Sequence, residues 1–213
     1  MNLRPKKHHL FSLLPATLIQ THGPRRGHAR FLSFDDGPHP EHTPRLLDLL
    51  ASHGVQASFF VVGERAEKHP ALIRRIVAEG HLLGNHSWSH SRFAQLPLRE
   101  QVTEMDRTDA LLASFDDRAR HRIRPPQGYL SLALLRHFAR QRRSVAYWCY
   151  DSLDYRPRPV AELTARLQRH PPAVGDIVLM HDDSARAAAA LGALLPSWLG
   201  NGCAFHAMAP EQA

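Results

Sequence analysis

Short apolar runs alternate with longer amphipathic stretches along the whole chain of 213 residues. The run at 56–62, "QASFFVV", is rich in aromatic and β-branched side chains, which is typical of a buried strand. Residues 97–115 instead repeat apolar side chains at helical spacing. This alternation favours a single α/β domain with a parallel sheet and outer helices, either an open sheet or a closed barrel. The predicted strands lie within 30–34, 56–62, 81–90, 121–128, 144–150, 176–181 and 203–209, and the predicted helices at 43–54, 64–79, 97–115, 131–141, 160–170 and 184–199.

Polar side chains follow five of the predicted strands, at the point where each apolar run ends. Because the carboxyl ends of parallel strands meet at one face, where active sites assemble in barrels and open sheets, we expect these side chains to form one site. In chain order they are Asp35 and Asp36, His86 and His90, Arg124, Asp151 and Asp154, and His181.

The histidine pair His86 and His90 has a spacing that suits a metal ion. Four residues on a helical turn place both imidazoles on one side, as a metal needs. In a chain with 16 histidines this spacing also arises by chance, so a further ligand is essential to the argument. A carboxylate from another strand end would complete a His₂Asp set with open positions for water and substrate. Zinc is the usual ion for such a hydrolytic site, although cobalt, nickel or iron would also fit.

Asp35 and Asp36 stand side by side after the apolar run "RFLSF" and directly before a Gly-Pro turn. Two adjacent carboxylates repel each other at a strand end unless a cation lies beside them. One of the pair can bind the metal while its neighbour stays free as a general base. The metal would lower the pKa of a bound water toward about 7, and the base would remove its proton. The alternative is an Asx turn, in which an aspartate only starts the turn.

Five short motifs occur in a fixed order along the chain: "SFDDGP", "HSWSH", "RPPQG", "DSLDY" and "LMH". Together they resemble the motifs of the polysaccharide deacetylase family, which includes chitin, chito-oligosaccharide and peptidoglycan N-acetylglucosamine deacetylases. The resemblance implies a distorted, incomplete (β/α) barrel with parallel strands as the catalytic domain at 28–208. Residues 1–27 would then be an N-terminal tail or a short surface helix, and 209–213 a C-terminal tail.

The resemblance also implies a metal centre with a base beside it. Asp36, His86 and His90 would hold one divalent metal ion, Zn²⁺ by family analogy, with Co²⁺ or Ni²⁺ as alternatives. Asp35 would be the catalytic base. Arg124 would orient and polarise Asp35 through a salt bridge.

On the other side of the site, the resemblance implies an acid and a pocket for the acetyl group. His181 would be the general acid that protonates the leaving amine, and Asp154 would keep His181 protonated. Leu179 and Tyr155 would line the pocket for the acetyl methyl group. The backbone N–H of Gln127 would bind the oxyanion.

Two positions depart from the family pattern. The family usually has an aromatic residue at the position of Gln127 and often tryptophan at the position of Tyr155. Both changes would affect the choice of substrate more than the catalysis. Trp88 would either stack on a sugar ring or fill the mouth of the barrel, and we expect Asp151 to be structural.

Composition narrows the possible partners. The net charge of +7 suits an anionic partner, but no basic stripe is interleaved with aromatic residues, so nucleic acid is not expected. The two cysteines, Cys149 and Cys203, are too few for a disulfide framework or a zinc knuckle.

The segment 1–20 is basic and then weakly apolar, with an interruption at Pro15, so it predicts a cytoplasmic chain rather than a secretory signal. It would suit contact with a membrane surface. The sequence indicates no oligomeric state.

These expectations lead to one main function and three alternatives. The main hypothesis is a metal-dependent hydrolase that removes acetyl groups from an N-acetylated glycan or glycoconjugate. The first alternative is an O-acetyl esterase that acts on an acetylated polysaccharide. The second is a non-catalytic glycan-binding barrel, which the complete set of metal and acid–base positions argues against. The third, nucleic-acid binding inferred from the basic charge, lacks any recognisable motif.

Overall fold

The computed structural model describes residues 6–25 and 27–211, so residues 1–5 and 26 of the predicted N-terminal tail and 212–213 of the predicted C-terminal tail lie outside them. Within these residues the chain alternates strands with helices, as the sequence pattern predicts. The strands are β1 (Ile19–Gln20), β2 (Ala29–Asp35), β3 (Ser58–Val61), β4 (Leu82–Asn85), β5 (Arg122–Ile123), β6 (Val145–Ala146), β7 (Tyr150–Asp151), β8 (Ile177–His181) and β9 (Ala204–Phe205). The helices are α1 (Lys6–Phe11), α2 (His42–Ser52), α3 (Gly63–Lys68), α4 (Pro70–Ala78), α5 (Leu98–Asp116), α6 (Leu132–Arg140), α7 (Val160–Arg169) and α8 (Arg186–Gly200).

The strands form one parallel sheet in the order β1-β6-β5-β4-β3-β2-β8-β7, and β9 pairs with β2. The sheet curls into a partial barrel with the helices outside it. This architecture confirms the predicted distorted and incomplete (β/α) barrel. Because all the strands run the same way, their carboxyl ends gather at one end of the barrel.

The predicted strand at 144–150 was wrong as a single element. It is two short strands, β6 and β7, which lie in different parts of the sheet. Residues 147–149 cross between them: the N–H of Tyr147 donates to Gln20 O at 2.8 Å, and the N–H of Cys149 donates to Ile177 O at 3.2 Å. An antiparallel bridge also joins His22, which follows the edge strand β1, to Asp176, which precedes β8. The apolar run reads as one strand because it stays buried throughout, although its backbone changes partners.

The predicted helix at 64–79 is two helices, α3 and α4. The interruption is His69, whose φ of −128° and ψ of 55° are not helical. Pro70 follows, and its ring disfavours the helical conformation for the residue before it and removes a backbone donor. The proline therefore starts a new helix instead of continuing the first.

The core occupies both faces of the sheet, because side chains alternate along each strand. On β8, Val178 packs into the larger apolar cluster with side chains of the outer helices, such as Leu191 of α8. The next residue, Leu179, belongs to the second cluster together with Phe60 on the inner side of the curl. His181 shares the inner face with Leu179, so the alternation directs it into the barrel mouth.

The sheet begins before residue 28, where we placed the start of the catalytic domain. Strand β1 pairs with β6 and therefore belongs to the barrel. Helix α1 precedes β1. Leu10 on this helix is 64% exposed, and Leu13 after the helix is 81% exposed. At the other terminus, the Glu211 carboxylate accepts a bond from the N–H of Ser144 at 2.9 Å. In the part of the chain that is described, no helix has the length and apolar character needed to cross a bilayer.

Candidate active site

An open cleft of about 410 Å³ lies at the carboxyl ends of the strands. It gathers side chains from all five sequence motifs, although these motifs are far apart in the sequence. Two further candidates, Arg124 and Asp154, are buried behind its wall. The cleft is lined by Asp35, Asp36, His86, His90, Gln127, Gly128, Trp148, Asp151, Tyr155, Leu179 and His181.

Asp36, His86 and His90 converge on one point of the cleft. The Oδ1 atom of Asp36 lies 3.3 Å from Nε2 of His86 and 3.1 Å from Nε2 of His90. The ligand atoms of the three residues all lie within 4.8 Å of one another. His86 Nδ1 lies 2.6 Å from the carbonyl oxygen of Arg124, which can only accept, so Nδ1 carries the proton. A proton on Nδ1 leaves Nε2 as the nitrogen of His86 that faces the Asp36 carboxylate and is placed to bind a metal.

This arrangement fits a cation. Asp36 Oδ1 is buried and has no well-formed hydrogen bond within the described chain. Burial by itself would raise the pKa of Asp36, but the two imidazoles outweigh it and hold that pKa far below its usual range. Contact with Asp36 in turn raises the pKa of His90. An ionised carboxylate facing two imidazole nitrogens matches the donors of a divalent metal site of the His₂Asp type.

Asp35 is fixed beside the three potential ligands. Its Oδ1 accepts a bond of 2.6 Å from Nη1 of Arg124, and its Oδ2 lies 3.7 Å from Nε2 of His86. The same Arg124 nitrogen donates to the hydroxyl of Ser33 at 2.9 Å. Arg124 is fully buried, and its guanidinium lies over the ring of Phe60. A buried guanidinium requires a counter-ion, and its bond to Asp35 holds that side chain in one orientation.

A close contact explains the Gly-Pro turn after the two aspartates. Asp36 has a positive φ of 75°, and a Cβ on Gly37 would lie 2.1 Å from a carboxylate oxygen of Asp182. The Thr43 hydroxyl donates to Asp182 at 2.5 Å. Burial raises the pKa of Asp182 to about 7. The sequence interpretation missed Asp182, although it is a polar residue directly after His181 at a strand end.

His181 and Asp154 form a second charged pair on the other side of the cleft. Both carboxylate oxygens of Asp154 contact His181: Oδ1 at 2.8 Å from Nδ1, and Oδ2 at 2.8 Å from the backbone N–H. Burial alone would lower the pKa of His181, but the bond to Asp154 and its charge outweigh burial. With the charges of Asp35 and Asp36, they raise this pKa to about 10. His181 is therefore an imidazolium at neutral pH.

The wall between these groups is made of aromatic, apolar and polar side chains. Tyr155 is half exposed, and its ring meets that of His181 edge to face at 5.4 Å. Gln127 reaches the cleft with a positive φ of 56°. Trp148 also lines the cleft, stacked on Tyr147 with the ring centroids 4.1 Å apart. The sequence interpretation missed Trp148, which looked like one more apolar residue of the predicted strand.

Two side chains lie elsewhere than expected. Asp151, which we expected to be purely structural, borders the cleft, where burial raises the pKa of its carboxyl group. Trp88, a candidate for stacking on a sugar, is only 5% exposed and does not line the cleft. The Arg107 guanidinium covers the Trp88 ring at 3.5 Å, and Gly63 packs against it. Trp88 therefore supports the loop that carries the histidines and is not a sugar platform.

The fold and the site together define a class of protein. A parallel barrel presents a potential His₂Asp metal set, a fixed carboxylate and a protonated histidine around one open cleft at the carboxyl ends of its strands. These are the parts of a hydrolase, with a base on one side and an acid on the other.

Comparison with known proteins identifies the family. The family model described as polysaccharide deacetylase matches residues 22–141. A peptidoglycan-N-acetylglucosamine deacetylase of Bacillus cereus is 38% identical over 59% of this chain and 46% of its own length. A chitooligosaccharide deacetylase of Sinorhizobium fredii is 40% identical over 71% of each chain. The crystal structure of a peptidoglycan N-acetylglucosamine deacetylase, 31% identical, superposes with a TM-score of 0.81 over 88% of this chain and 89% of that one. The protein belongs to the polysaccharide deacetylase family, as the motifs indicate.

Proposed function

We propose that this protein is a metal-dependent hydrolase that removes the acetyl group from an N-acetylglucosamine-type glycan or glycoconjugate. The observation that carries the proposal is the arrangement of two charged pairs around one cleft: Asp35 paired with Arg124, and His181 held protonated by Asp154. The relatives named as peptidoglycan and chitooligosaccharide deacetylases support the choice of substrate class.

Asp36, His86 and His90 would hold the ion, and we propose zinc, with cobalt or nickel as substitutes. The chemistry that such an ion supplies when bound is Lewis-acid polarisation of the acetyl carbonyl and a lowered pKa for water. Asp35 would accept the proton of the attacking water, since Arg124 aims its carboxylate into the cleft beside the ligands. Because Asp35 is buried, bulk water does not compete with the attacking water for contact with its carboxylate.

His181 would complete the reaction by giving its proton to the nitrogen that leaves. An amine is a poor leaving group without that proton, so an imidazolium held by Asp154 favours an amide substrate over an ester. Leu179 and Tyr155 would receive the acetyl methyl group, and the N–H of Gln127 would bind the oxyanion. The alternative, an O-acetyl esterase, needs the acid less because an alkoxide leaves more readily than the anion of an amine, the species that would leave without the proton.

Acetate release from a substrate panel tests the proposal. The panel contains chito-oligosaccharides, peptidoglycan fragments, sugar nucleotides with N-acetylglucosamine, and acetylated xylan, each incubated with zinc- or cobalt-loaded protein and with the Asp35→Asn variant. We expect release from one N-acetylated class that is absent in the variant. Release from acetylated xylan alone would replace the proposal with the esterase. No release from any substrate, with metal bound, would support a barrel that binds without turnover.

The pH profile tests the acid separately. Deprotonation of His181 removes the acid, so kcat/KM is expected to fall as the pH rises through its pKa of about 10. Asp154→Asn removes the charge that raises this pKa and should move the alkaline limb to lower pH by about one to three units. Asp48→Asn, on the exposed side of α2, is the matched control and should leave the limb in place. An unmoved limb in Asp154→Asn would assign the acid to another group.

The segment before β1 has features that support contact with a membrane surface. Leu10 and Leu13 are exposed next to Lys7 in a chain of net positive charge. Contact with an anionic membrane surface through this segment remains our proposal, as does a cytoplasmic location.

A further inference from the structure

We infer that Asn85 and Asp109 are positioning residues that set the turn on which the two histidine ligands stand. The inference rests on the proposed metal site and concerns residues that contact neither the ion nor the substrate. Asn85 is the last residue of β4, directly before His86, and is completely buried. Asp109 lies on α5, a helix that packs against the outside of β4.

The turn from 86 to 90 has a conformation that needs support from outside. Ser87 and His90 both have positive φ values, 70° and 53°, which are unfavourable for residues with a Cβ. Such conformations persist only where surrounding contacts hold them. The conformation directs both imidazoles toward Asp36, so a loss of these contacts would move the ligands apart.

The side chain of Asn85 supplies such contacts with all of its polar atoms. Its Oδ1 accepts a bond of 2.9 Å from the N–H of Ser87. Its Nδ2 donates to Met105 O at 2.8 Å and to Oδ1 of Asp109 at 2.7 Å. Because Nδ2 faces two acceptors and Oδ1 faces a donor, the orientation of the amide is fixed by the network. Asn85 therefore connects helix α5 to the backbone of the turn.

Asp109 is in turn held on its other side. Its Oδ2 pairs with Nη2 of Arg143 at 2.7 Å, and Oδ1 lies 3.3 Å from Nδ1 of His121. Arg143 also donates to the carbonyl of His121 at 2.9 Å, and His121 Nε2 contacts Asp116 at 3.0 Å. This buried network fixes the position of Asp109, which fixes the amide of Asn85.

Helix α5 contacts the same loop at two more points. Oε2 of Glu104 accepts bonds from the N–H and the hydroxyl of Ser89, at 2.8 and 2.9 Å. Arg107 covers Trp88. Three side chains of one helix thus contact the ligand turn or its anchor, so α5 is one support of the proposed metal site, beside the N–H groups of Gly63 and Glu64 that donate to the carbonyls of Ser87 and Trp88.

Metal affinity, measured without substrate, tests the inference. Asn85→Asp keeps the size of the side chain and the acceptor for Ser87, but it places a second carboxylate against Asp109. Asp109→Asn is the milder change. We expect the dissociation constant for cobalt(II), measured by competition with a chelator, to rise about 10–100-fold in each variant, the usual effect of removing an outer partner of a ligand. The visible absorption of bound cobalt should also change, because it reports ligand geometry.

Two further variants separate positioning from general stability. Asp116→Asn disturbs the same buried network at His121 but makes no contact with Asn85, so it should lower the melting temperature and leave cobalt affinity unchanged. The double variant Asn85→Asp/Asp109→Asn restores one carboxylate opposite one amide and should recover part of the affinity lost in Asn85→Asp, although the donor to Met105 O stays missing. Unchanged affinity in Asp109→Asn, or an equal loss in Asp116→Asn, would overturn the inference. A wild-type protein that binds no cobalt would instead overturn the proposed metal site itself.

Discussion

Asp35→Asn is expected to lower kcat by about 100-fold or more while the protein keeps its metal, which is the usual scale for the loss of a general base. An amide cannot take the proton of the attacking water, but its oxygen can still accept from Arg124, so the geometry at 2.6 Å is largely retained. The measurement is acetate release under saturating substrate, together with metal content by elemental analysis on the same sample.

The metal content makes this result interpretable. Asp35 Oδ2 lies 3.7 Å from His86 Nε2, close enough that Asp35 itself could belong to the ligand set. If the variant loses metal and activity together, Asp35 is a ligand and the base must be found elsewhere. If it keeps both metal and near-normal activity, Asp35 is not the base. Only the combination of full metal and lost turnover supports the role proposed here.

His90→Ala is expected to remove bound metal without unfolding the protein. Loss of a residue that only hydrogen-bonds to a metal ligand typically costs about 10–100-fold in metal affinity, so loss of the ligand itself should cost at least about 100-fold. The side chain of His90 is 31% exposed, so its removal leaves little unfilled space. His86→Ala should also lose metal, but His86 is buried and bonded to the carbonyl of Arg124, so some loss of stability is expected as well.

Chelator competition and thermal unfolding of both variants provide the measurement. His206→Ala is the matched control, since His206 is an exposed histidine after β9 and does not line the cleft. It should keep wild-type metal affinity. Stoichiometric zinc in His90→Ala at micromolar protein would show that the ion lies elsewhere or that His90 is dispensable.

The architecture was predictable from the sequence because each strand ends in a recognisable way. Glycine, proline or paired polar residues follow most of the apolar runs, and helical spacing fills the intervals. The gathering of Asp35, His86 and His181 at one cleft follows from parallel strand direction alone. Family membership, indicated by the five motifs, is confirmed by the comparison with known proteins.

Other features depend on tertiary contacts that no local pattern contains. Trp88 stands between two metal-ligand candidates, yet Arg107, which approaches from α5, covers it. Trp148 reaches the cleft because residues 147–149 carry the backbone from β6, which pairs with β1, to β7, which pairs with β8. Hydrophobic periodicity cannot distinguish a continuous buried strand from a buried crossing, since both exclude water equally.

Because of the crossing at residues 147–149, we expect the two sides of the cleft to differ in stiffness. On one side of the cleft, β2, β3 and β4 form a continuous ladder beneath the metal-ligand candidates, and a spreading force would have to break its hydrogen bonds. On the other side, no ladder joins the edge strands β1 and β7 among residues 6–25 and 27–211; the short crossing links β6 to β7, and one bridge joins His22 to Asp176 ahead of β8. We therefore expect small movements to be larger at Trp148, on this crossing, than along the laddered strands. Such movements would let the cleft adjust to substrates of different girth while the spacing of the metal-ligand candidates stays constant.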